Sequence, residues 1–479
     1  MRRLIAFLLA ALPLVAQQSA PPPAAPRETK VPQAVEKTLA NGLRVIVVPK
    51  PGIPLVAARV MIKAGGAADP KGRDGLAQLT TMVIAKGTKT RSAEEIARGV
   101  EALGTTISVS AGWDNSAVDV SVMSSNLAKA MEYVGDAVRN PTFPKEDVDR
   151  ERTRTIDSLQ VTLQEPSAIA SIAASRLVFG DAPYAHNLEG LPATVEKITR
   201  DDLVKFHRAH YRPENAVLLF AGDVTTDAAF ALAERVFGGW KRGTGSEAKA
   251  GGGGRDVRPP RVVVIDMPEA GQAAVVVARR GIRRTDPAYM QAMVANAILG
   301  GGYSSRLNQK IRIERGLSYG ADSAFEARAE TGPFMASTQT KHESVPEVIG
   351  IITSEVKGLI DNDVPQTELL PRKAALIGNF VFSLETTSGI VNRVAALALY
   401  GLPLSDVNRY IQNVQAVTAA DVRKFATSNF AASEFSIVVA GNAKEFLEPL
   451  RRQFSDVEVI KLSDLDLALP GLRVRLKKE

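Results

Sequence analysis

Apolar residues along this chain fall into short runs bounded by turn residues and longer stretches with helical spacing, and the order of these units occurs twice. Residues 195–223, VEKITRDDLVKFHRAHYRPENAVLLFAGD, align without a gap on residues 414–442, VQAVTAADVRKFATSNFAASEFSIVVAGN. Val195 matches Val414, Thr199 matches Thr418, Asp202 matches Asp421, Lys205 and Phe206 match Lys424 and Phe425, and Ala221-Gly222 match Ala440-Gly441. Each copy predicts a Thr N-cap, a short helix and an apolar strand ending in Ala-Gly. Upstream, AARVMIKAG (57–65) and AAVVVARRG (273–281) predict corresponding strands, each followed by a loop and an apolar-striped helix. The repetition identifies a duplicated unit.

LANGLRVIVVP places Asn41-Gly42 at a tight hairpin turn. Helical patterns cover 91–104, 125–138 and 144–178. Helices and strands do not alternate strictly, so each half is expected to be α+β, a mostly antiparallel sheet with helices packed on it. At 479 residues the chain exceeds one ordinary core. The expected order is a signal peptide at 1–20, a Pro/Ala-rich tether at 21–34, a first domain at 35–243, a Gly-rich linker at 244–256, a second domain at 257–460 and a tail at 461–479. The signal assignment rests on Arg2 and Arg3 ahead of an apolar run from Leu4 to Ala16, too short for the ~20 residues of a span.

Composition narrows the class. Hydrophobic residues at 45% and charged residues at 23% are ordinary for a globular protein. Net charge is +7, about +5 once the signal leaves. The basic residues are scattered and lack interleaved aromatics, which argues against a nucleic-acid platform. The chain has no cysteine, hence neither disulfides nor a lipid-anchoring cysteine. An exported protein, periplasmic or secreted, with no membrane span after cleavage, is the expectation.

Residues 75–88, GLAQLTTMVIAKGT, predict a packed amphipathic helix after a Gly-Leu-Ala turn. This stretch stands among TLANGLRVIVVP, IKAGGAADPKGRDGLA, AKGTKTRSAEEIARGVEALG and PYAHNLEGLPATVEKITRDDLVKFHRAHY in the first half. LGGGYSSRLNQKIRIERGLSYG and YGLPLSDVNRYIQNVQAVTAADVRKFA follow in the second. With these phrases in this order, the chain resembles the pitrilysin, insulinase and mitochondrial processing peptidase group of inverted zinc peptidases. The resemblance implies two homologous α+β domains facing each other like a clam shell around a peptide chamber.

Active members of that family carry H-x-x-E-H on the helix after this turn. Positions i and i+4 share one helix face, so two imidazoles reach one Zn²⁺ while the Glu polarises a bound water. Here those places hold Gln78, Thr81 and Met82, and Ser158, within ERTRTIDSLQ, falls where the family has a later Glu ligand. Amide, hydroxyl and thioether groups are poor zinc ligands, and Thr is no general base at neutral pH. No metal is expected on this chain. The remaining histidines are His186, His207, His210 and His342. His207 and His210 lie three apart, but no third ligand stands near and the second copy has Ala426 and Asn429, so they are read as helix-surface residues.

GGGYSSRLNQKIRIERGLSYG retains the family's Arg and Tyr, here Arg312 and Tyr319, which in active relatives reach the substrate and the developing oxyanion near zinc. A guanidinium and a phenol are suitable donors to such charge. The structural alternative is an ion pair from Arg312 to Glu314 or Glu326, with Tyr319 in the core. Gly300, Gly301 and Gly302 are read as a hinge or chamber wall where substrate backbone approaches, or else a helix end needing positive φ. They do not form a nucleotide loop, since no Lys-Ser/Thr follows.

The resemblance thus implies a metal-free subunit of a heterodimeric metallopeptidase. A homologous zinc-bearing subunit would be its partner and an unfolded or short peptide its substrate. The alternative is a non-enzymatic binding or scaffold protein of the cell envelope.

Overall fold

The computed structural model describes residues 33–243 and 260–473. The expected signal peptide, nearly all of the tether, the Gly-rich linker and the end of the tail lie outside the described residues. The first half contains strands β1 (Val35–Thr38), β2 (Arg44–Pro49), β3 (Leu55–Ile62), β4 (Ser108–Ala111), β5 (Ser116–Met123) and β6 (Ala216–Gly222), in the sheet order β1-β2-β6-β3-β5-β4. The second contains β7 (Val262–Asp266), β8 (Ala273–Arg280), β9 (Ala321–Phe325), β10 (Pro333–Thr340), β11 (Ser436–Gly441) and β12 (Val457–Lys461), in the order β12-β7-β11-β8-β10-β9. Five strands correspond one to one between the sheets. In both, one parallel pair (β2 with β6, β7 with β11) is followed by antiparallel neighbours. Only the outermost strand differs. β1 is the first arm of the Asn41-Gly42 hairpin and runs antiparallel to β2, whereas β12 comes from the chain's end and runs parallel to β7.

Helices α1 (Leu76–Val83), α2 (Ala93–Glu101), α3 (Leu127–Arg139), α4 (Lys145–Thr162), α5 (Pro166–Phe179), α6 (Pro192–Val195), α7 (Arg200–His210) and α8 (Thr226–Phe237) belong to the first half. Helices α9 (Tyr289–Leu299), α10 (Val345–Asp361), α11 (Gln366–Ser383), α12 (Thr387–Leu399), α13 (Asp406–Ala416), α14 (Ala419–Asn429) and α15 (Leu447–Gln453) belong to the second. The two Thr caps form as read. The Thr199 hydroxyl accepts the Asp202 N–H while Asp202 accepts the Thr199 N–H at 2.9 Å, and Thr418 and Asp421 repeat this reciprocal box.

The helical pattern at 144–178 is two helices, not one. Pro166 has no N–H to continue α4 and disfavours helical geometry at Glu165, so the chain turns after Thr162 and restarts as α5. This break decides the architecture. Strand residues alternate between the two faces of a sheet, and here both faces are apolar. Val45, Val47, Val60, Leu218 and Phe220 pack under α1, α3, α7 and α8 of their own half. Ile46, Val48, Met61, Val217 and Leu219 point the other way and meet Ile390, Val391, Val394 and Ala398 of α12. The converse holds in the second half, where Ile265, Val276, Val438 and Ala440 meet Ile169, Ala173, Ala174 and Leu177 of α5. Because α5 and α12 occupy equivalent places in the duplicated unit, each half lends the same helix to the other.

Polar contacts reinforce the exchange. Lys50 Nζ at the end of β2 donates to the carbonyls of Leu384 (2.8 Å) and Glu385 (2.7 Å) after α11. Buried Arg176 of α5 donates from Nε to the Leu467 carbonyl at 3.1 Å, fastening the segment that follows β12. Buried Asp114 accepts from Tyr184 OH at 2.6 Å and, across the joint, from Tyr400 OH at 3.1 Å and the Ala329 N–H at 3.0 Å. No single helix among the described residues is long and apolar enough to cross a membrane. The pair α11 and α12 passes by length and composition, but it is bent by 113° and packs in the cores described above.

Replacing Ile169 by Ala is expected to cost about 2–5 kcal/mol in urea unfolding. The accompanying loss of hydrogen-exchange protection is expected in β8 and β11, more than 100 residues away in sequence, rather than in β2 and β6.

Candidate functional site

The helix that carries the metal motif in the resembled family is α1, and the fold holds it firmly. Gly75 enters it at φ 96°, and a Cβ there would stand 2.6 Å from the Glu189 carbonyl, so glycine is required. Asp69 accepts the Gly75 and Ala77 N–H groups at 2.8 Å each, closing the helix start. Thr81 is buried. Its hydroxyl donates to the Ala77 carbonyl at 2.7 Å and lies 3.3 Å from the Tyr211 hydroxyl. Gln78 and Met82 are half-buried on α1, and Ser158 is exposed on α4. These side chains do not fit a zinc ion. Two offer neutral oxygens, one a thioether, and the Thr81 hydroxyl is already engaged within the core.

The histidines are engaged with the protein too. His207 and His210 are not helix-surface residues as the sequence pattern implied, because the face of α7 they share turns inward. His207 Nε2 donates to the Val138 carbonyl at 2.8 Å, and its ring lies 4.7 Å from Tyr211 and 5.7 Å from Phe143. His210 is buried with its ring 4.5 Å from Phe206. His186 sits between the carbonyls of Asn187 (2.9 Å) and Gly66 (3.0 Å), and His342 stacks beside Phe446. Among the described residues no group of three or more His, Cys, Asp or Glu is placed to hold a metal.

A deep concavity lies in the second half. A cavity of about 910 Å³ is lined by Gly300, Gly301, Gly302, Tyr303, Arg312 and Tyr319 together with β8, the edge strand β9 and β10. Arg312 rides on a π-helical turn, Asn308–Glu314, a wider winding than the α-helix and one that often accompanies function. Its guanidinium stands over the Tyr303 ring at 5.0 Å. The two carboxylates that were alternatives for it are taken, Glu314 by Lys310 at 2.8 Å and Glu326 by Arg328 at 2.5 Å. Tyr319 is 88% exposed, so its ring is not part of the core. Gly300, Gly301 and Gly302 all have φ outside the left-handed region. A Cβ on Gly300 would lie 2.2 Å from the Ser323 N, so there the glycine serves close packing against β9.

Arg312, Tyr319 and the three glycines therefore meet around one cavity, while Gln78, Thr81, Met82 and Ser158 line no part of it. The pattern of residues missed a contribution from the first half: Ser167 and Ser171 of the exchanged helix α5 complete the wall. The signal was present in strands such as AVLLFAG, apolar at every position, which demand a cover on both faces.

Two α+β halves with equivalent sheets exchange a helix, and a cavity lies at the edge of the second sheet. The family model described as Insulinase (Peptidase family M16) matches residues 44–190, and that described as Peptidase M16 inactive domain matches residues 197–376. The chain belongs to the insulinase family, peptidase family M16. An uncharacterized zinc protease of Mycobacterium tuberculosis is 28% identical over 407 residues, covering 84% of this chain and 92% of its own. One from Streptomyces coelicolor is 26% identical over 392 residues, covering 81% and 85%. The crystal structure of a peptidase M16 inactive domain from Pseudomonas fluorescens matches with a TM-score of 0.79 and 28% identity, over 85% of this chain and 98% of that one. A protease from Helicobacter pylori shares the fold at a TM-score of 0.80 and 21% identity, over 85% and 99%.

Two outcomes follow from the first half. Purified protein incubated with excess Zn²⁺ and desalted is expected to retain well under one ion per chain by elemental analysis. Burial pushes His207 down to about 4, opposed by its bond to the Val138 carbonyl. An unfolded His titrates near ~6.5. Its neutral-ring stabilisation is thus complete above that pH and is lost as pH falls toward about 4. His207→Gln, which keeps a donor, is expected to flatten the acid limb of a stability–pH curve by up to about 1.4 kcal/mol per pH unit in that window.

Proposed function

We propose that this chain is the metal-free subunit of an exported heterodimeric metallopeptidase. It closes the peptide chamber and contributes Arg312 and Tyr319 to a site whose zinc is held by a homologous partner subunit. The contrast between the halves carries the proposal. One half has side chains of the wrong chemistry for zinc on the motif helix, and the Thr81 hydroxyl among them is bonded within the core. The other presents, in one cavity, an exposed phenol and a guanidinium that no carboxylate pairs with among the described residues. Both are donors suited to the negative oxygen that forms when a peptide carbonyl is attacked. An extended peptide would lie beside β9, the edge strand that borders the cavity, and pair with it as an added strand. The name zinc protease borne by the relatives supports peptide hydrolysis as the chemistry of the assembly.

The test is co-expression with a homologous subunit that carries H-x-x-E-H, followed by a peptide-cleavage assay. This chain alone is expected to be inactive, the pair active, and Tyr319→Phe to lower kcat by about a hundredfold in an intact complex. Full turnover by a Tyr319→Phe complex would remove the assigned role. A stable complex with no cleavage would favour a scaffold instead.

A further inference from the structure

A second cavity of about 340 Å³ opens among α9, α11, α12 and α13 and shares no lining residue with the first. Its walls are largely apolar: Phe380 and Tyr410 stack with centroids 4.2 Å apart, and Leu397 and Val407 stand beside them. Two guanidiniums enter it. Arg284 lies over the Tyr289 ring at 3.9 Å, and Arg393 lies over Phe380 at 5.3 Å and Tyr410 at 5.9 Å. Arg393 Nε donates to the Ser383 hydroxyl at 2.9 Å. Among the described residues neither guanidinium is ion-paired with a carboxylate. Two acids also reach the rim, but both are engaged. Asp286 accepts the Ala288 N–H at 2.8 Å, and Asp406 is paired with Arg409 at 2.5 Å.

Burial raises the Tyr410 phenol, and the charges of Arg393 and Arg284 oppose the rise. Arg284 and Arg393 both line this partly dry pocket, where reduced solvation strengthens the attraction of each for an added anion. The volume lies at the small end of ligand cavities, ~300–1,000 Å³.

We infer that this cavity binds a small organic carboxylate carrying an aromatic or branched apolar group. Its carboxylate bridges Arg284 and Arg393, and its apolar part rests on Phe380, Tyr410 and Leu397. Planar guanidiniums suit a carboxylate's two oxygens, and the apolar walls favour such a ligand over a bare oxyanion. The site adjoins the joint between the halves. The Arg284 N–H donates to the Arg328 carbonyl at 2.8 Å, and the Arg328 guanidinium stacks over Trp113 at 4.2 Å and Tyr184 at 5.0 Å. Arg393 itself sits on α12, the helix lent to the first sheet. Occupancy therefore tightens the exchange of helices.

Isothermal titration of the full chain with phenylacetate, and separately with inorganic phosphate, tests the assignment. Saturable one-to-one binding of phenylacetate, a raised Tm in its presence and weaker binding of phosphate are expected. Arg284→Gln and Arg393→Gln should each weaken phenylacetate by about tenfold or more. Arg393→Lys should retain part of the affinity, and Tyr319→Phe all of it. Absence of phenylacetate binding overturns the inference, as does equal binding of phosphate. Unchanged affinity in an Arg393→Gln protein whose circular dichroism matches the parent overturns it as well.

Discussion

Everything else in this structure depends on how the outward faces of the two sheets are kept from water. Each sheet is apolar on both sides, its own helices cover one, and the helix covering the other comes from the opposite half. Ile169 and Leu177 on α5, and Ile390, Val391 and Val394 on α12, are all buried at this exchange. Burial of such a side chain contributes about 1.5–3 kcal/mol, whereas a hydrogen bond nets about 0.5–1.5 kcal/mol. Apolar burial therefore sets the strength of the joint. The bonds from Lys50, Arg176 and Asp114 set its register.

The opposite face of the first sheet explains why α1 is kept without metal-binding residues. Leu76, Ala77, Leu79 and Val83 of α1 belong to the main core of the first half, and Thr81 meets Tyr211 in its interior. Removing α1 would open the face of the sheet opposite to α12. The helix serves as packing, and the Thr81 hydroxyl on it bonds within the protein.

Much of the fold was legible because it is local. The duplicated Thr-Asp capping boxes, the Asn41-Gly42 turn and the apolar strands each follow from a few neighbouring residues. The cavity residues Arg312 and Tyr319 were legible as a phrase, seven positions apart. The exchange was not, because nothing local tells α5 which sheet it will cover. Its traces were indirect: Pro166, a break in what otherwise looked like one helix, and strands apolar at every position that need a cover on both faces. Nor could short-range pattern show that the His207 and His210 face turns inward, or that Asn308–Glu314 winds as a π-helix, since neighbouring elements impose both. The outer strand of the second sheet was hidden for a similar reason. β12 joins β7 from nearly 200 residues away and carries no turn signal linking the two.

A single unit with this design would have one bare sheet face and one helix with nowhere to pack. Two identical copies would resolve both defects at once by trading helices about a twofold axis. The present molecule holds both copies in one chain, each lending its helix to the other. Two copies held in one chain need not stay alike, so the first can carry Gln78, Thr81 and Met82 on α1 while the second gathers Arg312 and Tyr319 at its cavity, as long as the traded helices still fit.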